Sequence, residues 1–495
     1  MLSFILGILF LVAGYHYYGG IIERILEPDD RETPAKKCAD GVDYVVLPHW
    51  KNMLIQLLNI AGIGPVIGVI LGIRFGAIVF LIIPLGNIIG GATHDFIAGM
   101  MSLRKNGANL PELIRGNLGK CYYWLFSVFM TVLLLLVVAV FINVPAQLFG
   151  GMLNDPSWFW YAVAIIFIYY IAATLFPVDK IIGKIYPLFG LMLLLGTIAI
   201  FGAIIFECDM VPDANLLSES LAFKENMWTA ANNKPVIPLL FVTIACGIIS
   251  GFHATQSPII ARTMETERQA RSSFYGMMVV EGLIAMIWAA AGMAIYNLFP
   301  ELMTANPNNV LVKITTYFLG SGWGGVTVIA VIILAITSGD TAMRSLRLSL
   351  AEIFKLDQKS FFNRMIIVIP LIVIVVGLLL WSNKDANSFN QLWNYFSWAN
   401  QVLAASTLMA ATVWLMRRKK NGLVAWIPGI FMTFIVVCYI LWISKEHGGP
   451  LGFGMELHDA YWTAGAITAV IAVAVWVRGL FLRRRENSIP QADEN

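Results

Sequence analysis

The chain has 495 residues, 58% of them hydrophobic and only 13% charged, with a formal net charge of +3. That balance excludes a soluble enzyme, because apolar runs of about 20 residues mark membrane spans rather than a water-facing fold. The small basic excess is no sign of a nucleic-acid partner, since the lysines and arginines sit at the ends of apolar runs and not in one patch.

The first run, 2–20, lacks the basic leader and Ala-x-Ala exit of a signal peptide and reads as a retained membrane helix. With the basic loop behind it, it forms an N-terminal unit, 1–51. Runs at 52–73, 75–101, 122–148, 158–176 and 183–206 fill a second unit, 52–206. An acidic segment follows at 207–234 and reads either as a cover over an outer vestibule or as a plain solvated loop. Five further runs, 235–260, 274–298, 323–352, 364–382 and 389–416, fill 235–416. Two peripheral runs, 423–443 and 460–482, and a basic tail make up 417–495. The expectation is an all-α polytopic membrane protein of about thirteen spans.

Orientation follows from charge placement. With the N-terminus outside, 27 of the 33 lysines and arginines fall on the cytoplasmic side, which puts the C-terminus in the cytoplasm. The five cysteines show no metal spacing, and only Cys208 falls in an external loop, so neither a metal site nor a structural disulfide is expected.

Two runs are interrupted, at Ala61-Gly62-Ile63-Gly64-Pro65 and at Ser250-Gly251-Phe252-His253-Ala254-Thr255-Gln256-Ser257-Pro258. Glycine disfavours helix by about 1 kcal/mol relative to alanine and proline by about 3, so neither stretch is expected to be continuous helix. Backbone freed in this way survives at membrane depth only where it lines a protected cavity. The breaks fall in the second and seventh spans, five crossings apart, so a five-helix unit repeated there has opposite topology. That pattern predicts a LeuT-like 5+5 inverted-repeat core, with the two broken helices meeting near the midplane at the substrate site. Gly62, Gly64, Pro65, Gly251, His253, Thr255, Gln256 and Ser257 are the candidate substrate contacts. Half-helix N-termini at such breaks attract carboxylates.

Ionisable groups inside the spans supply candidates for coupling, because charge in lipid is costly. His94 and Asp95 follow Gly90-Gly91 in the third span, where they either exchange protons or cap helix ends. The ninth span ends in Thr337-Ser338-Gly339-Asp340, expected to face the carbonyls of the first break and offer oxygens to Na⁺ or a proton site; Asp340 and Arg344 also read as an ordinary i,i+4 pair. Gln56, Asn59, Asn143, Gln147, Asn394, Asn400 and Gln401 read as interhelical glue. No cofactor beyond a coupling H⁺ or Na⁺ is expected, and no obligate protein partner is evident. Two lone histidines are weak support for a haem carrier. The chain has no Gly-x-x-x-x-Gly-Lys-Ser/Thr loop for a primary pump.

At Asp43-Tyr44-Val45, both breaks, Gly90 through Phe96, Ser250 through Arg262 and Asp340 through Arg344, the chain resembles the carbon starvation protein A family of bacterial transporters. The resemblance implies uptake of short peptides, or of pyruvate with protons, under nutrient limitation. One departure stands out: a His-His pair common in that family before the first break is Ile55-Gln56 here, so no role of that pair carries over. The sequence therefore reads as a non-enzymatic secondary transporter importing a small carboxylate-bearing nutrient or peptide.

Overall fold

Without water to satisfy backbone groups, apolar runs close their hydrogen bonds within helices. The structure, a computed structural model, describes all residues except 1, 42, 154, 156, 176–177, 207–228, 231–233, 359, 385, 445–448, 450 and 488–495. The described part is helical but for one short antiparallel pairing, Thr229–Ala230 with Lys234–Pro235. The remainder of the expected 207–234 cover lies outside the described residues.

In chain order the main helices are α1 (Leu2–Leu26), α2 (His49–Ile60), α3 (Gly64–Phe75), α4 (Val79–Leu103), α5 (Leu110–Leu118), α6 (Lys120–Met152), α7 (Trp158–Leu175) and α8 (Val178–Phe206). After short helical pieces over 236–248 come α9 (Gly251–Ala261), α10 (Glu267–Leu298), α11 (Pro307–Phe354), α12 (Phe361–Ser382), α13 (Ala386–Arg417), α14 (Leu423–Trp442) and α15 (Leu457–Asn487). Among the described residues nine helices are long and apolar enough to cross a membrane, or ten if the bent α2–α3 pair is one span. Shorter apolar helices, Trp158–Thr174 and Gly190–Phe206, occupy two further expected runs. Depth in the bundle differs sharply: 94% of the apolar stretch in Gln391–Arg417 is buried, against 22% in Leu457–Glu486 and 28% in Leu2–Leu26. The outer helices turn residues such as Leu9, Val470 and Val473 to the lipid.

Both interruptions exist, but shorter than the sequence suggested. The first lies at Ala61–Ile63, where the axis bends by 51°. Gly64 and Pro65 open α3 instead of belonging to the gap, since a proline in a first turn forfeits no needed hydrogen bond. The second, within the stretch named, is extended at Ile249 (φ −168°, ψ 128°) and Ser250 (φ −133°, ψ 123°), and the same span is also kinked earlier, at Ile244 (φ −93°, ψ 12°). The expectation that 250–258 is non-helical is therefore corrected: Gly251–Ala261 is helix with Pro258 inside it. The loss of one N–H is local, and Thr255 Oγ1 and Ser257 Oγ donate back to the Phe252 and His253 carbonyls at 2.7 and 3.1 Å. Packing on every side holds the rest, for all eleven residues of α9 are buried.

The broken spans touch each other. A side chain at Gly64 would overlap Cys246, and one at Gly68 would come 3.0 Å from the Thr243 carbonyl. Glycine is there for close approach. The long α11 also contains a break, at Gly320 (φ 72°), which separates an N-terminal helical piece from the membrane-spanning part.

Candidate functional site

The site is built where α9 starts. Asn400 on α13 caps it: its Oδ1 accepts from Phe252 N–H at 2.7 Å, and its Nδ2 donates to Ser250 Oγ at 2.9 Å. An N-terminus buried in protein needs such a partner for its orphan donors. Gly251 lets the helix start lie against Asn400, Leu403 and Ala404 without a Cβ between them.

One turn into α9, His253 points at α4 and α10. Its Nδ1 lies 3.0 Å from Asp95 Oδ2, while His94 Nδ1 lies 2.8 Å from Asp95 Oδ1, so one carboxylate sits between two imidazoles. On its far side His253 Nε2 is 3.7 Å from Glu281 Oε2. All four residues are at most 1% exposed. His94 and Asp95 thus do not cap helix ends near an interface; they face the second broken span in the protein interior. A carboxylate in this position can accept from both Nδ1 atoms, and the other ring nitrogen of His253 is the one turned toward Glu281. Among the described residues, both Glu281 oxygens and His94 Nε2 find no hydrogen-bond partner. Buried groups in that state are rare and mark places where a proton, water or ligand completes the set.

Glu281 did not enter the sequence reading. It lies in a span with no Gly-Pro interruption, beside Gly282, although the rule that singles out intramembrane acids applies to it equally.

The remaining candidates fall into two groups. Thr255 and Ser257 bond back along α9, and Gln256 Nε2 donates to Thr255 Oγ1 at 3.0 Å while its oxygen stays unpartnered. Ser345 on α11 donates to the Thr255 carbonyl at 3.0 Å, joining α11 to α9. On the first broken span, Gln56 has neither amide atom paired and Asn59 Nδ2 is unpaired, both fully buried. Among the described residues, unpaired amide atoms therefore lie just before the first break, on Gln56 and Asn59, which the sequence read as interhelical glue, and within the second expected contact stretch, on Gln256.

The ninth span is placed differently from expectation. Ser338 does face the first break: its Oγ donates to the Leu58 carbonyl at 2.9 Å, and a Cβ on Gly62 would come 3.2 Å from it. Asp340, however, accepts from Tyr169 on α7 at 2.5 Å, on a different side of α11 from Ser338. The reason is helical geometry, since residues 338 and 340 lie about 200° apart around the axis and cannot share a face. Thr341 takes the place assigned to Asp340, with its Oγ1 3.0 Å from Asn59 Oδ1. Thr337 Oγ1 donates to its own helix, at Leu334. Of the amides, Asn143 and Gln147 do bridge helices, and Gln401 donates to the Phe241 carbonyl at 3.1 Å.

Comparison with known proteins decides the family. The family described as carbon starvation protein CstA matches residues 1–231, 152–317 and 309–439. The chain belongs to the CstA family. It is 40% identical over 341 residues to a Haemophilus influenzae protein described as an uncharacterized membrane protein, a match covering 60% of this chain and 91% of that one. It is 26% identical over 334 residues to the peptide transporter CstA of Campylobacter jejuni, covering 55% of this chain and 47% of the relative, so the match spans about half of that longer protein. In fold it resembles a manganese transporter of Eremococcus coleocola, with TM-score 0.58, 14% identity and coverage of 90% and 99%. The chain is an all-helical, multi-pass membrane protein of a transporter family, with a fold shared by LeuT-type transporters.

Proposed function

We propose that this CstA-family chain is a secondary active transporter that imports short peptides with protons by alternating access. The observation that carries the coupling is the buried series His94–Asp95–His253–Glu281, strung from α4 through the start of α9 to α10. The His253–Glu281 separation of 3.7 Å is too long for a hydrogen bond, and a displacement of α9 by less than 1 Å closes it. A proton held on Glu281 in one arrangement would pass toward His253 in the other, tying protonation to the movement of a broken helix. The name of the Campylobacter relative supports peptides as cargo.

In this reading the chain crosses the membrane thirteen times with the N-terminus outside, and 52–206 and 235–416 are inverted five-helix repeats. The expected runs and the basic bias of one end support this topology. Sodium coupling has less support, because Asp340 accepts from Tyr169 and lies about 200° around α11 from Ser338, which faces the first break.

The test is uptake of dialanine into proteoliposomes. Accumulation above equilibrium is expected with an inward proton gradient, and its loss in Glu281→Gln. Accumulation driven by sodium alone, or an unaltered proton drive in that variant, would refute the assignment. Accumulation of pyruvate but not dialanine would move the chain to small-acid symport.

A further inference from the structure

At the end of the molecule opposite the basic connections lies a cavity of about 620 Å³, a size suited to a small-molecule ligand. Arg74, Gln147, Asn308, Ser382, Phe389 and Trp393 contribute to its wall. Among the described residues, Arg74, at the end of α3, is the only charged one in its wall, and none of them is a carboxylate. Nearby Glu301 is exposed and not part of the wall. The guanidinium is held in place rather than neutralised: Nε donates to Tyr296 Oη at 3.0 Å, Nη2 donates to the Ala305 carbonyl at 2.9 Å, and the group lies 5.3 Å from the Tyr296 ring centre. These bonds use two of five N–H donors. No acid among the described lining residues is there to pair with it. A preset fork of this kind recognises a carboxylate.

A second polar element has its direction fixed by its far end. Ser382 Oγ donates to the Leu379 carbonyl at 3.2 Å, so it must accept from Asn143 Nδ2, 3.0 Å away. Asn143 Oδ1 then accepts from Gln147 Nε2 at 2.8 Å, and Gln147 Oε1 from Asn308 Nδ2 at 3.0 Å. In this arrangement the row leaves one acceptor over, Asn308 Oδ1, a shielded atom without a partner among the described residues, on a residue 7% exposed. That atom calls for an N–H donor from a ligand.

We propose that this cavity is a first recognition site for short zwitterionic peptides, with the carboxylate on Arg74, an amino or peptide N–H on Asn308 Oδ1, and side chains against Phe389 and Trp393. The proposal rests on the transporter reading above and narrows its cargo, since a keto acid has a carboxylate but no N–H. Peptide meets this site before it reaches the broken helices.

The test compares dialanine with dialanine amide, which lacks the carboxylate, by equilibrium binding to the full chain in nanodiscs and by the KM for uptake. Wild type is expected to prefer the free acid by about tenfold or more, Arg74→Gln to lose that preference, and Arg74→Lys to recover part of it. Asn308→Leu should weaken dialanine while leaving any pyruvate binding unchanged. A merely structural role for Arg74 would weaken both probes equally, so an unchanged ratio in Arg74→Gln overturns the proposal. So does wild type that binds neither probe. Loss of proton-driven accumulation with the binding preference intact would instead count against the coupling and leave this site standing.

Discussion

Asp95 and Glu281 are both fully buried acids on the same network, yet their surroundings predict opposite responses to an isosteric amide. Asp95 accepts from two imidazoles, at 2.8 and 3.0 Å. In Asp95→Asn a donor faces a donor on one side, so the variant should lose about 1–3 kcal/mol, read as a lower melting temperature in detergent. Glu281 has no hydrogen bond to lose, so Glu281→Gln should stay within about 0.5 kcal/mol of wild type while abolishing proton drive. If both variants melted alike, the distinction between a structural and a working carboxyl would fail. Three of the four members of this network were legible as ionisable residues near breaks or glycines. Their convergence was not, because nothing in the local sequence says that residues 95, 253 and 281 are neighbours.

At the level of elements, the two broken spans depend on glycine at their crossing. Gly64→Ala drives a methyl group into Cys246, which cannot retreat because it is packed beside the second break. Overpacking of this sort costs about 1–3 kcal/mol. Adding Cys246→Gly should recover most of the melting temperature, and failure to recover would show that the two spans do not meet there. The positions of both breaks were readable to within a few residues from Gly and Pro. Their lengths were not, because propensity ignores the packing that keeps α9 helical through Pro258. A similar limit displaced Asp340: the ninth span's polar end was evident, but which side of the helix met the first break depended on its rotation.

Across the whole molecule, the segment before α2 is tied to the end of α9 at the basic side. Val45 and Leu47 N–H groups donate to the carbonyls of Arg262 and Thr263 at 3.3 and 3.0 Å, and the Arg262 guanidinium lies 5.1 Å from the Tyr44 ring centre. Asp43 is placed between two buried arginines, 3.8 Å from Arg344 and 4.0 Å from Arg347. Asp43→Ala leaves those cations facing each other with less compensation. It should cost about 3 kcal/mol, read in the same melting assay. Arg347→Met added to that variant should restore part of the loss. An unchanged melting temperature in Asp43→Ala would mean that solvent already screens the pair.

Sequence alone determined that this chain is a helical membrane protein, where its apolar runs and interruptions fall, and which intramembrane residues are chemically conspicuous. Those properties follow from short-range physics: the period and length of apolar runs, the helix cost of glycine and proline, and the cost of charge in lipid. Tertiary structure decided what touches what. It set His253 between Asp95 and Glu281, turned Asp340 to Tyr169, and left Asn308 with a spare acceptor beside the cavity that holds Arg74. Each of these depends on the rotation and depth of helices distant in sequence, which are settled by packing against many neighbours at once and leave no local mark in the chain.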